Sequence, residues 1–283
     1  MAAFAGNYTL GGATPDFSSF NIAAYWLGLG GVVAPVTVDV RNGTYIEQVS
    51  FSPIAGTDTV NQVVFQSEMG DSTGVILEHN SGNTNNYVLK FGGADWMTFQ
   101  RMTVQSLNSN YGRVVALDSN STHIILQNND LIGSNPTGTS ANQTIIYNYY
   151  TTNNGFKTEY LTIQNNRLSN SSYGIYIRGY SASNLGTNVS ILNNNIENIY
   201  YRAVWLEDQE QLIFDRNTIT NTANYGFDFR AIYTNDLRNY YEITNNRVSG
   251  ANTGTTNYAA YINDSDGLIT TPALIANNFF SSG

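Results

Sequence analysis

Six times along this 283-residue chain an apolar residue leads into an asparagine-rich turn and then into another apolar residue. The copies are Leu126-Gln-Asn128-Asn129-Asp-Leu131, Ile163-Gln-Asn165-Asn166-Arg-Leu168, Ile191-Leu-Asn193-Asn194-Asn-Ile196, Phe214-Asp-Arg216-Asn217-Thr-Ile219, Ile243-Thr-Asn245-Asn246-Arg-Val248 and Ile275-Ala-Asn277-Asn278-Phe-Phe280. Taking the second position of each pair, the turns recur at 129, 166, 194, 217, 246 and 278. A period of this size with no helical pattern inside it specifies a stacked β architecture. Asparagine tolerates the left-handed backbone that a sharp corner between strands needs. Identical amides on successive turns can also hydrogen-bond up the stack, which predicts an asparagine ladder.

A solenoid grows by adding turns, so one repeating domain accounts for the length. Charged residues make up only 12% of the chain, so Asn, Ser, Thr and Tyr must carry its solubility. A formal charge of −9, with Lys90 and Lys157 the only lysines, argues against a nucleic-acid partner. There is no cysteine, hence no disulfide, thiolate metal site or thiol nucleophile. No apolar run is long enough to span a membrane as a helix. The start, Met1-Ala-Ala-Phe4, lacks the features of a signal peptide, and Phe279-Phe280 follow directly on a repeat. Both ends therefore read as cuts within a longer protein with neighbouring domains.

Thr14-Pro15-Asp16 reads as a helix start, and Phe17, Phe20, Ala24 and Leu27 as one apolar face of a short helix ended by Gly28, Gly30 and Gly31. Such a helix would plug the first turn of the stack. Expected strands follow at Val36–Val40, Val49–Phe51, Val63–Phe65 and Val75–Leu77. From about residue 87 each repeat also has an opening strand: Val115-Ala-Leu117-Asp118, Ile145-Ile-Tyr147-Asn148, Ile175-Tyr-Ile177-Arg178, Val204-Trp-Leu206-Glu207, Phe227-Asp-Phe229-Arg230 and Ala260-Tyr-Ile262-Asn263. Alternation points the first and third residues inward and the second and fourth outward. The loops Gly133 to Gln143 and Ser249 to Asn257 absorb the variation in length.

This pattern resembles the right-handed parallel β-helix repeats of the pectate-lyase-like superfamily. The beginning of the chain, Tyr8-Thr-Leu-Gly-Gly-Ala-Thr-Pro-Asp-Phe17, then Gly31, Pro35-Val36 and Gly43-Thr-Tyr45-Ile-Glu47, looks like the start of β-helix modules in large secreted surface proteins of Bacteroidota. The resemblance implies an all-β right-handed parallel β-helix with a short N-terminal capping helix. It implies little about activity, since that superfamily holds lyases, hydrolases, esterases, epimerases and adhesins. The expected layout is a capping segment over 1–35 and one β-helix over 36–283, truncated at its C-terminal end.

The outward positions form two expected columns: Ala116, Ile146, Tyr176, Trp205, Asp228 and Tyr261, and Asp118, Asn148, Arg178, Glu207, Arg230 and Asn263. Tyr176 beside Trp205, with Arg178, Glu207 and Arg230 as a ladder of alternating charge, suits a sugar ring, whose C–H faces are apolar and whose hydroxyls need partners. In the superfamily this sheet often lines the polysaccharide groove, so the resemblance points to the same face. Tyr176, Arg178, Trp205, Glu207, Arg230 and Tyr261 are the candidate ligand-binding residues. Cross-strand pairs of this kind also stabilise exposed sheets without any ligand. Glu207 with Asp228 is a candidate hydrolytic pair and Arg230 a candidate base, with Asp208 and Glu210 nearby in sequence. Cations on both sides should lower the Glu207 pKa, which disfavours it as a general acid.

Asn263-Asp264-Ser265-Asp266-Gly267 resembles part of a Ca²⁺ loop without its bidentate Glu, so Asp264 and Asp266 are metal candidates and Ca²⁺ the one cofactor considered; a polar turn explains the segment as well. His79 and His123 are distant in sequence and read as surface residues. The paired Tyr residues at 149–150, 200–201 and 240–241 suggest an aromatic surface, with Tyr241 inward. The leading functional expectation is a non-catalytic module of a secreted or cell-surface protein, recognising carbohydrate or serving as an adhesin spacer. The alternatives are a polysaccharide lyase or hydrolase using the same face, and a purely structural fibre segment.

Overall fold

The computed structural model describes residues 2–135, 138–148, 157–221, 228–250 and 257–282. It is a parallel β-solenoid: twenty-four strands form one continuous sheet among these residues, wound into three faces. Each turn runs along the first face, bends at the asparagine corner onto the second, crosses a loop to the third, and returns. Met97–Gln100, Thr122–Gln127 and Glu159–Gln164 are successive rungs of the first face. Thr103–Ser106, Asp130–Ile132 and the start of Arg167–Arg178 are the matching rungs of the second. Leu89–Gly92, Val115–Asp118 and Thr144–Asn148 are rungs of the third. The expected strands at 36–40, 49–51, 63–65 and 75–77 all lie within observed ones.

The core is a set of apolar columns. Leu126, Ile163, Ile191, Phe214 and Ile243 stack on one face, and Leu131, Leu168, Ile196, Ile219 and Val248 on the next, all nearly or fully buried. Between them sit the corners. Asn128, Asn165, Asn193, Arg216, Asn245 and Asn277 all have φ between 53 and 56°. The residue after each turns inward. Asn129 Nδ2 donates to Phe99 O at 2.9 Å and to Asn166 Oδ1 at 3.2 Å, and its backbone N–H donates to the same oxygen at 2.9 Å. The motif repeats from Asn166 to Asn194, Asn194 to Asn217, Asn217 to Asn246 and Asn246 to Asn278. Each corner thus satisfies an otherwise orphaned backbone amide and adds a second hydrogen bond to a ladder carbonyl. A second run of amides flanks it: Gln164, Gln127, Gln100 and Gln66 each donate to the preceding rung, ending on Asp39.

The N-terminal segment departs from the expectation. A strand, Phe4–Leu10, comes first and pairs with Val32–Val40. The helix is Phe20–Gly30, capped by Ser19, whose hydroxyl accepts from the Ile22 N–H at 3.3 Å. Thr14 is not the cap, because the Asp16 carboxylate instead takes the Thr9 N–H at 2.7 Å and its hydroxyl at 2.9 Å. Phe17 bridges to Leu10 in the chain leading to the helix. Phe20, Ala23, Ala24 and Leu27 are buried, with Phe20 edge-on to Tyr45 at 5.2 Å.

Candidate functional site

The third face carries the most chemistry. Its rungs place Lys90, Ala116, Tyr147, Tyr176, Trp205, Tyr233 and Tyr261 in one column. Ring centroids are 5.4 Å apart from Tyr147 to Tyr176, then 4.5, 5.1 and 5.3 Å on to Tyr261. Two members differ from the expected column. The rung at 144–148 is displaced by one residue, so Val115 pairs with Ile146 and the outward side chain is Tyr147; Ile145 and Ile146 are both fully buried. The rung after Trp205 is not built on Phe227-Asp228, of which Phe227 lies outside the described residues, but on Ile232-Tyr233-Thr234-Asn235.

That second shift removes the proposed charge ladder. The neighbour of Glu207 on the next rung is Asn235, not Arg230. Arg178 does reach Glu207, at 3.4 Å, and also Asp208, at 3.4 Å. Burial raises the Glu207 pKa, outweighing Arg178, and Asp208 and Asp236 push it the same way. The expected fall is therefore reversed. Asp208 is raised for the same first reason, burial. Asp228 does not face Glu207; it pairs with Arg230 at 3.3 Å.

The corrected register shows an acidic column that sequence reasoning missed. Asp208, Asp236 and Asp264 follow Glu207, Asn235 and Asn263 on consecutive rungs, each with φ between 43 and 53°. Glu207-Asp208, Asn235-Asp236 and Asn263-Asp264 are the signal in the sequence that would have found it. These acids do not converge. Arg178 takes Asp208, Arg238 bridges Asp236 at 2.6 Å and Asp266 at 2.7 Å, and Asp264 accepts from Asn263 at 2.8 Å. Among the described residues no group of three or more His, Cys, Asp or Glu is arranged to hold a metal ion.

Beside the aromatic column runs another: Tyr173, Arg202, Arg230 and Tyr258. The Arg202 guanidinium lies over Tyr233 at 4.3 Å, Tyr201 at 4.4 Å and Trp205 at 4.7 Å. Arg230 lies over Tyr261 at 4.6 Å. Among the described residues Arg202 Nε and Nη1, Arg230 Nε and Trp205 Nε1 are buried donors without an acceptor. Burial pushes the Tyr173 hydroxyl up to about 12 and raises Tyr176 as well, so both stay protonated donors. The face is thus a strip of rings edged by the guanidinium groups of Arg202 and Arg230, with a half-buried carboxylate–arginine cluster at one side. Of the paired tyrosines, Tyr149 and Tyr150 lie outside the described residues, and Tyr241 is buried.

The parallel stack and its three faces place the chain among known proteins. The family described as right handed beta helix region matches residues 86–231. The chain belongs to the right-handed β-helix family. A comparison with curated protein sequences gives no match. Among solved structures, the alginate lyase from Paenibacillus aligns over 97% of this chain and 99% of its own, at 11% identity and a TM-score of 0.57. The pectin methylesterase from Aspergillus niger aligns over 97% of this chain and 85% of its own, at 12% identity and a TM-score of 0.58. The lacto-N-biosidase from Eubacterium ramulus aligns over 96% of this chain but 56% of its own, at 10% identity and a TM-score of 0.60. At such identities the likeness is one of fold. Lyase, esterase and hydrolase share this β-helix, so fold alone selects no activity.

Proposed function

We propose that this β-helix protein binds a polysaccharide along its third face, as a secreted or cell-surface recognition module. The observation that carries the reading is the unbroken row Tyr147, Tyr176, Trp205, Tyr233 and Tyr261, with the Arg230 guanidinium lying over Tyr261. Rings spaced by one rung, about 4.8 Å, form a linear ridge of apolar ring edges along which a linear chain of sugars can lie. Arg178 and Arg230, whose side chains are 28% and 19% exposed, supply N–H groups for its hydroxyl or carboxylate oxygens. The test is retention on immobilised neutral and uronate-containing polysaccharides. Trp205→Ala should lose retention while the far-ultraviolet circular dichroism stays unchanged. Absence of retention for the intact protein on every polysaccharide tried would refute the reading.

A second reading is cleavage of the bound glycan. Glu207 and Asp208 favour it, because burial raises the pKa of both despite Arg178 beside them, the direction a general acid needs. Incubation with the same polysaccharides, with and without Ca²⁺, separates the two. New reducing ends or unsaturated-product absorbance that disappear in Glu207→Gln would replace the binding module by an enzyme.

A further inference from the structure

A different aromatic group stands on the first face, early in the stack. Trp96, His123 and Tyr160 occupy one column on three consecutive turns. Their rings lie nearly parallel, with centroids 3.6 Å apart from Trp96 to His123 and 4.3 Å from His123 to Tyr160. All three have left-handed backbones, with φ of 57, 54 and 51°. Bulky residues rarely adopt that conformation, and where they do the site is often functional. Tyr160 remains 48% exposed. Beside the rings runs an open groove of about 230 Å³, floored by Ile125 and Thr162 and ended by Gln62 and Asn188.

His123 is fixed in one tautomer. The Thr122 hydroxyl donates to Asp95 Oδ1 at 3.0 Å and lies 3.0 Å from His123 Nδ1. The carboxylate can only accept, so the threonine proton goes to it and Nδ1 carries its own proton toward Oγ1. Nε2 is left as an acceptor. Burial lowers the imidazole pKa, outweighing Asp95 and Glu159, so the ring is neutral at neutral pH.

We infer that this groove is a second carbohydrate site, independent of the third face, for an uncharged pyranose ring. The lining chemistry selects that class. Gln62, Asn188, Thr162 and His123 offer the mixed donors and acceptors that vicinal hydroxyls need, while Ile125 and Tyr160 offer apolar surface for the C–H face. No lining residue carries a charge at neutral pH. Asp95 and Glu159, close enough to act on His123, would repel an anion. The site goes beyond the polysaccharide face and stands or falls separately from it.

The chain has two histidines, so the His123 imidazole signals are resolved from those of His79 by NMR. The probes are cellohexaose, mannohexaose and maltohexaose. At least one should shift the His123 signals saturably, and Trp205→Ala should leave that titration unchanged. Tyr160→Asn removes the outer ring yet suits the left-handed position, since Asn188 has φ of 57° one turn on. It should melt no lower than the wild type and weaken binding at least tenfold, whereas Tyr160→Phe should retain it. Lack of a His123 shift with all three sugars would overturn the inference. So would a titration undiminished in Tyr160→Asn, or one abolished by Trp205→Ala.

Discussion

Replacing Asn194 by alanine isolates one link of the corner column. Asn194 is only 2% exposed. Its Oδ1 accepts from the Asn166 N–H at 2.9 Å and from Asn166 Nδ2 at 3.1 Å, and its Nδ2 donates to Ile163 O at 2.9 Å and Asn217 Oδ1 at 3.0 Å. Not all four partners are stranded by the change. Asn166 Nδ2 keeps Leu126 O, and Asn217 Oδ1 keeps the backbone N–H of residue 194. One buried backbone group loses its partner at this corner, the Asn166 N–H; the Ile163 carbonyl keeps its ladder bond to the next turn. A stranded group costs about 1–3 kcal/mol, so the variant should lose ~1–3 kcal/mol. At about 2 °C per kcal/mol for a chain of this size, the melting temperature should fall by ~2–6 °C. Asn184→Ala, in the loop after the third face, should change it by less than about 1 °C. Hydrogen exchange locates the damage: the Asn166 amide should lose protection, while amides three turns away should not, because each turn touches only its neighbours. Equal melting shifts in the two variants, or an Asn166 amide as protected as before, would refute this account of the corners.

Three further outcomes follow. Arg216 holds the left-handed corner position that asparagine holds in the other five copies, and its side chain, 72% exposed, gains little from its ion pair with Asp215; Arg216→Asn should raise the melting temperature by about 2 °C, roughly 1 kcal/mol of relieved backbone. Gly56 has φ of 87°, and a Cβ there would lie 2.1 Å from Val32 O, so Gly56→Ala should destabilise by about 2 kcal/mol or more, measured by chemical denaturation. The raised pKa of Glu207 in the fold means its contribution to stability is present below its unfolded pKa, about 4.3, and is lost as pH rises through the folded value. The melting-temperature difference between Glu207→Gln and the wild type should therefore move in the variant's favour from pH 4 to pH 7, and a pH-independent difference would contradict the buried carboxylate.

The repeat was legible because its marks are chemical. A left-handed corner followed by an inward amide leaves few choices of residue, and six copies sufficed to place the first and second faces. The third face was legible only in part, since a slip of one residue turns a strand over. Ile145-Ile146 offers two apolar residues in sequence, and nothing in alternation says which of them pairs with Val115. At the next error the cause is Thr234. It is fully buried, but as a polar residue it hid the strand Ile232-Tyr233-Thr234-Asn235 behind the more apolar Phe227-Asp228-Phe229. Tyr233 and the Asp208, Asp236 and Asp264 column were lost with it. The Trp96, His123 and Tyr160 stack was invisible for another reason: its members are 27 and 37 residues apart, and only the register of three turns brings them together.

Unequal loops on a uniform stack give the molecule a mechanical signature. Pulled from its ends, a chain bonded only to the turns before and after it must peel from an end, one turn at a time. The lengths released are set by the corner spacings, 37, 28, 23, 29 and 32 residues. At roughly 3.4 Å per extended residue the shortest turn releases ~80 Å and the longest ~125 Å. A force–extension trace would then be a staircase of unequal steps whose order reads out the loops along the chain, and which shows from which end the stack gives way.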